Sequence, residues 1–115
     1  MKIIQLLPAL NTGGVERGTI ELSQALVDGG HQSYVISGGG LLVSQLEKEG
    51  GIHLTMPIGK KHIATLGCVT KLRQHILQIK PDILHVRSRI PAWVVYLACR
   101  LLPKRHRPLV VSTVH

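Results

Sequence analysis

Four groups of residues have the types and spacing that chemistry needs. Gly13 and Gly14 stand side by side in the segment that follows the apolar run Lys2–Leu7. Glycines there let backbone approach a ligand closely. A helix starting at that point offers free N–H groups and a positive dipole end to a phosphate. Glu16 follows in what would be the first turn, where it suits a ligand contact or a cap equally well. Arg87, Ser88 and Arg89 come directly after a second apolar run, Ile83–Val86. Arginine forks suit phosphates and carboxylates, whereas Ser88 can instead cap a following helix. His115 closes a third run, where an imidazole can hydrogen-bond a substrate or move a proton. Each group also has a plainer reading: a loop that turns on its glycines, solvated charge, a terminal histidine without a role.

These residues need a frame to bring them together, and apolar runs alternate with helix-like segments along the whole chain. Strands are predicted at Lys2–Leu7, Gln32–Ser37, Ile52–Met56, Ile83–Val86 and Leu109–Val114. Helices are predicted at Gly14–Asp28, Leu41–Glu49, Ile63–Lys80 and from Pro91 to about Leu102. Gly29-Gly30 and Gly50-Gly51 stop the first two helices, and Pro81 ends the third. Val15, Thr19, Leu22 and Leu26 recur at helical spacing in the first helix; Leu66, Val69, Leu72, Ile76 and Ile79 do so in the third. Gly18 within the first helix costs about 1 kcal/mol relative to alanine, a sign of close packing at that point.

Such alternation predicts an α/β fold: a Rossmann-like three-layer sandwich around a parallel sheet of order 3-2-1-4-5, with right-handed crossovers. Ligands of such sheets bind beyond the carboxyl ends of the strands where the order reverses. Here that is between the first and fourth strands, which places the Gly13–Gly14 and Arg87–Arg89 segments at one crevice. Gly38-Gly39-Gly40, after the second strand, reads as a turn rather than a ligand loop. His85 reads as packed within its strand, and His31, His53, His62, His75 and His106 as surface or turn residues. The fifth strand has no helix after it, so the chain reads as one domain cut short of a longer protein.

Composition narrows the function. One Trp, two Tyr and no Phe leave an aliphatic core. Residues 60–115 hold eleven Lys and Arg against Asp82 alone, whereas residues 1–59 hold three basic and five acidic side chains. That asymmetry points to an anionic partner: a phosphorylated substrate, an anionic membrane or nucleic acid. Nucleic acid is disfavoured by the lack of aromatic platforms and of a nucleic-acid motif. Cys68 and Cys99 form no metal-ligand spacing and read as small core residues in a reducing compartment. No GxGxxG follows the first strand and no acidic residue closes the second, which argues against a nicotinamide-dependent oxidoreductase. Neither a signal peptide nor a stretch approaching the roughly 20 apolar residues of a membrane span is present. The chain is expected to be cytoplasmic, with a peripheral place on the inner face of a membrane open to its basic half.

The segment Gly13-Gly14-Val15-Glu16-Arg17-Gly18-Thr19, with Glu21–Leu26 and Gly30-His31, resembles the first βα unit of family 4 glycosyltransferases of the GT-B fold. Pro81–Arg89 and Ser112–His115 resemble two later signatures of that family. The Arg87–Trp93 stretch is most similar to bacterial members that build lipopolysaccharide or other envelope glycans. The resemblance covers the whole chain. It implies the N-terminal, acceptor-side domain of a retaining enzyme that moves a sugar from a nucleotide-sugar to a glycan or glycolipid, without a metal or other cofactor. It implies that Gly13 and Gly14 approach the donor diphosphate, that His115 contacts the donor sugar near the reacting carbon, and that Glu16, Arg87, Ser88 and Arg89 lie on the acceptor side. The family's donor-binding glutamates belong to a C-terminal domain with no counterpart in these residues. The 115 residues alone are therefore expected to be inactive and, with one face uncovered, able to form a homodimer.

Overall fold

The computed structural model describes residues 1–7, 10, 14–56, 63–87, 98, 100 and 108–113. Among the described residues the elements run in the order β1 (Lys2–Leu6), α1 (Gly14–Asp28), β2 (Gln32–Ser37), α2 (Val43–Lys48), β3 (Ile52–Thr55), α3 (Ile63–Ile79), β4 (Ile83–Arg87) and β5 (Leu109–Thr113), with further helical residues at Ala98 and Arg100. The strands form one sheet of order β3-β2-β1-β4-β5, parallel throughout. Fold class and strand order are those expected from the sequence.

The sheet carries apolar side chains on both faces, as a sheet covered by helices on both sides must. Because side chains alternate along a strand, β1 serves both layers. Ile4 and Leu6 join Ile36, Met56, Leu84 and Val86 in a core with Val69, Leu72 and Ile76 of α3. On the other face Leu7, Leu10 and Val35 pack with Ile20 of α1 and Leu46 of α2. The α1 layer also buries Gln5, Thr19, Ser23 and Ser33. These polar groups find partners there: Ser23 Oγ and Ser33 Oγ lie 2.6 Å apart, and Gln5 Nε2 donates to the Thr19 carbonyl at 3.2 Å. Small polar residues let α1 approach the sheet closely, and the face it buries is Thr19, Ile20 and Ser23. Leu22 and Leu26, expected inward from their spacing, are half-buried.

Glycine sets where α1 and α2 stop. Gly30 has φ +84°, with Gly30 N–H donating to Val27 O and His31 N–H to Leu26 O. Gly50 has φ +92°, with Gly50 N–H donating to Glu47 O and Gly51 N–H to Leu46 O. Both pairs are Schellman closures, which need a left-handed residue after the helix. Lys80 takes φ +57° at the end of α3, so that helix stops at Ile79 rather than Lys80. Several other boundaries move by a residue or two. α2 begins at Val43 rather than Leu41, and β4 extends to Arg87 because Arg87 still pairs with Thr113 of β5. Of the helix expected from Pro91 to Leu102, Ala98 and Arg100 are described and are helical; the remainder, like Cys99, lies outside the described residues.

Candidate functional site

β1 and β4 are neighbours whose connections leave to opposite sides, so their carboxyl ends frame the crevice of the sheet. α1 starts beside it at Gly14, with Glu16 in its first turn, where a carboxylate complements the helix dipole. Arg87 is the last residue of β4 and projects toward α1 rather than outward. Its Nη1 donates to Gln5 Oε1 at 3.2 Å. Gln5, wholly buried in the middle of β1, passes the link on to the Thr19 carbonyl of α1. One amide thus ties the arginine, the central strand and the first helix together, with its oxygen and nitrogen both used.

Gly18 completes the setting. A Cβ placed on Gly18 would lie 2.9 Å from Arg87 Nη2, closer than real Cβ contacts come. The close packing expected at this glycine is therefore packing against a guanidinium. Arg87 Nε is shut off from solvent and has no hydrogen-bond partner. An unfilled buried donor of this kind costs about 1–3 kcal/mol. Burial lowers the Arg87 pKa from its ordinary value, but a guanidinium remains cationic throughout the biological range. Among the described residues no carboxylate pairs with it. The result is a partly desolvated cation at the crevice, held by one neutral acceptor.

A second polar cluster lies at the carboxyl ends of β2 and β3. Ser37 Oγ and His53 Nε2 are 2.6 Å apart, and the Gly39 N–H donates to Ser37 Oγ at 3.1 Å. Burial lowers the His53 pKa, against a smaller upward pull from Glu47. Which of the two atoms donates depends on the tautomer of the ring. His53 is thus a half-buried strand residue, not the surface or turn residue expected, because β3 places it beside Ser37. His75 likewise sits half-buried on α3, its pKa lowered by burial and then by Lys71. Gly38–Gly40 link β2 to the segment before α2, and Leu10 N–H donates to Gly39 O there at 2.8 Å. A shallow cavity of about 350 Å³ between α1 and α2 is lined by Arg17, Ile20, Glu21, Leu42 and Gln45.

Of the residues singled out from sequence, Gly14 and Glu16 are described in the first turn of α1 and Arg87 at the end of β4. Gly13, Ser88, Arg89 and His115 lie outside the described residues. Gln5 was not singled out. Its signal is a lone polar residue at the centre of the apolar run Ile3–Leu7.

Residues 12–115 match the family described as Glycosyltransferase Family 4. Among solved structures, the chain is similar to a glycosyltransferase from Rickettsia africae ESF-5, with 38% identity and a TM-score of 0.82. That similarity covers 96% of this chain and 28% of the Rickettsia chain, so these residues span little more than a quarter of that relative. A comparison with curated proteins gives no match.

Proposed function

The chain belongs to glycosyltransferase family 4, and from that premise we propose that it is the acceptor-side domain of a retaining enzyme that uses a nucleotide-sugar donor. The acceptor is a glycan or glycolipid of the cell envelope. Gly13 and Gly14 approach the donor diphosphate, and His115 contacts the donor sugar. Glu16, Arg87, Ser88 and Arg89 face the acceptor. The observation that carries this reading is the Arg87 guanidinium, held without a carboxylate among the described residues, at the crevice where this fold receives its ligands.

Sugar transfer develops positive charge on the sugar and negative charge on the departing diphosphate, and both need a closed, water-poor cleft. These residues supply one wall of it, so the 115-residue chain binds acceptor without transferring sugar. The basic half of the chain, with Arg100, Lys104, Arg105 and Arg107, supports peripheral contact with an anionic membrane on its cytoplasmic face. Among the described residues no helix is long and apolar enough to cross a membrane.

The charge asymmetry also favours a second reading, a non-catalytic basic module for nucleic acid or membrane. Calorimetric titration of the chain with a de-acylated lipopolysaccharide core oligosaccharide and with duplex DNA separates the two. Binding of the oligosaccharide without binding of DNA is expected. Salt-sensitive binding of DNA with no response to the glycan would replace the first reading by the second.

A further inference from the structure

We propose that Arg87 recognises a phosphoryl group, and that Gln5 and Gly18 are positioning residues that hold its guanidinium for that purpose. The proposal deepens the substrate-site reading of the crevice and rests on it.

A structural arginine is normally neutralised by a carboxylate or surrounded by several carbonyls, because a desolvated charge without partners is costly. Among the described residues Arg87 is given one neutral acceptor, Gln5 Oε1, and its Nε is left unfilled. Gln5 in turn is fixed by its bond to Thr19 O, so it can present its oxygen to Arg87 and cannot turn its amide without losing both contacts. Gly18 leaves the space that Nη2 occupies. Three separate devices thus converge on one guanidinium: a buried amide in the central strand, a helix glycine present despite its helix penalty, and the absence of a countercharge among the described residues. None of them serves a merely solvated charge. A planar fork held this way fits a tetrahedral oxyanion with two parallel N–H donors. Two substrates can bring such a group to the crevice: the diphosphate of a nucleotide-sugar, or a phosphorylated acceptor.

Gly18→Ala separates positioning from stability. The new methyl meets the free end of a flexible side chain, so the guanidinium moves aside and its 3.2 Å contact with Gln5 opens. Alanine at the same time favours the helix. The variant should melt no lower than the parent, yet bind a phosphoryl ligand at least about tenfold more weakly, the loss of one charge-assisted hydrogen bond. Gln5→Leu frees the guanidinium by another route, and Arg87→Lys keeps the charge but loses the fork; both should weaken binding similarly.

The assay is NMR titration of the 115-residue chain with uridine diphosphate and, separately, with glucose 6-phosphate. It follows the Arg87 Nε–Hε resonance, which Arg87→Lys identifies by deleting it. The proposal expects that resonance to shift on saturation and the Gly18→Ala shift to need higher ligand concentrations. Tighter binding of uridine diphosphate assigns the group to the donor, and tighter binding of glucose 6-phosphate assigns it to the acceptor. A stable Gly18→Ala variant with parental affinity would overturn the positioning roles. Saturation with either ligand while the Arg87 resonance stays put, or no binding of either, would overturn the recognition role. Binding of a neutral oligosaccharide in that last case would leave the glycosyltransferase reading standing, so the two can fail separately.

Discussion

Gly51→Ala tests the packing between α1, α2 and the sheet. Gly51 is buried just after the α2 closure and lies outside the left-handed region, so its backbone admits an alanine. The added Cβ would lie 2.7 Å from Leu46 Cδ1, 2.9 Å from Leu46 Cγ and 2.8 Å from Ser23 Oγ. Neither neighbour can easily yield. Leu46 is fully buried in the core with Ile20 and Val35. Ser23 Oγ is held at 2.6 Å from Ser33 Oγ across the α1–β2 contact. Forcing an extra methyl into such a site costs about 1–3 kcal/mol, and the stiffer unfolded chain offsets about 0.4–1 kcal/mol of that. The net expectation is a loss of about 1–2 kcal/mol. For a chain of this length that corresponds to a fall in Tm of about 4–8 °C. Thermal melts followed by far-ultraviolet circular dichroism read it directly. The comparison with Gly18→Ala is the sharper test. The two sites have nearly the same shortest gap, 2.7 and 2.9 Å, but one methyl meets locked core atoms and the other a mobile side-chain end. Equal melting temperatures in the two variants would refute the claim that the neighbour's freedom, not the distance, decides the sign.

Two further outcomes follow from the same structure. Burial holds the His53 and His75 pKa values below 6.5. As the pH falls through 6.5 the unfolded chain takes up protons that the folded state refuses, so stability falls toward acid and levels off once the folded histidines titrate. Urea melts between about pH 8 and pH 5 should show this decline, and His53→Gln should flatten part of it; a slope of opposite sign would contradict the burial of these rings. Leu109, Val110 and Val111 are exposed on β5, an edge of the sheet. If that edge supports the homodimer expected from sequence, Val111→Lys should shift the chain toward monomer in sedimentation velocity, and unchanged sedimentation of a dimer would exclude β5 as its contact.

Much of this architecture was legible in the sequence because its signals are local. Glycine pairs after helical periodicity marked both Schellman closures, and Pro81 marked the end of α3. The run of alternating elements pointed to a parallel sheet, and its order followed from the Rossmann-like architecture assumed for it, since alternation alone is shared by sheets of other orders. The face of α1 was less legible. Spacing pointed to Leu22 and Leu26, but the helix lies over Gln5 and Ser33, and Thr19 and Ser23 turn inward to meet them. His53 departs from its sequence expectation for a related reason: β3 pairs with β2 in a register that brings its ring to Ser37, which composition does not show. The crevice was half legible. Strand ends and arginines located Arg87, and the helix penalty of Gly18 hinted at close packing. That a buried glutamine joins them is a relation across three elements, and no single segment carries it.

The strand order also governs how the chain meets its own folding. β1 lies at the centre of the sheet, yet its second partner is encoded eighty residues further on, where Ile83 pairs with Ile3. During synthesis β1, β2 and β3 can associate early, while the far side of β1 stays open until α3 and β4 have emerged. That open side belongs to a strand whose residues Ile3, Ile4 and Leu6 are all buried in the finished fold, so for that interval it is a template for any other extended chain. The vulnerable period of this protein is thus set by the length of the segment between Ser37 and Ile83, and chaperone protection, where it is needed, is needed before β4 arrives.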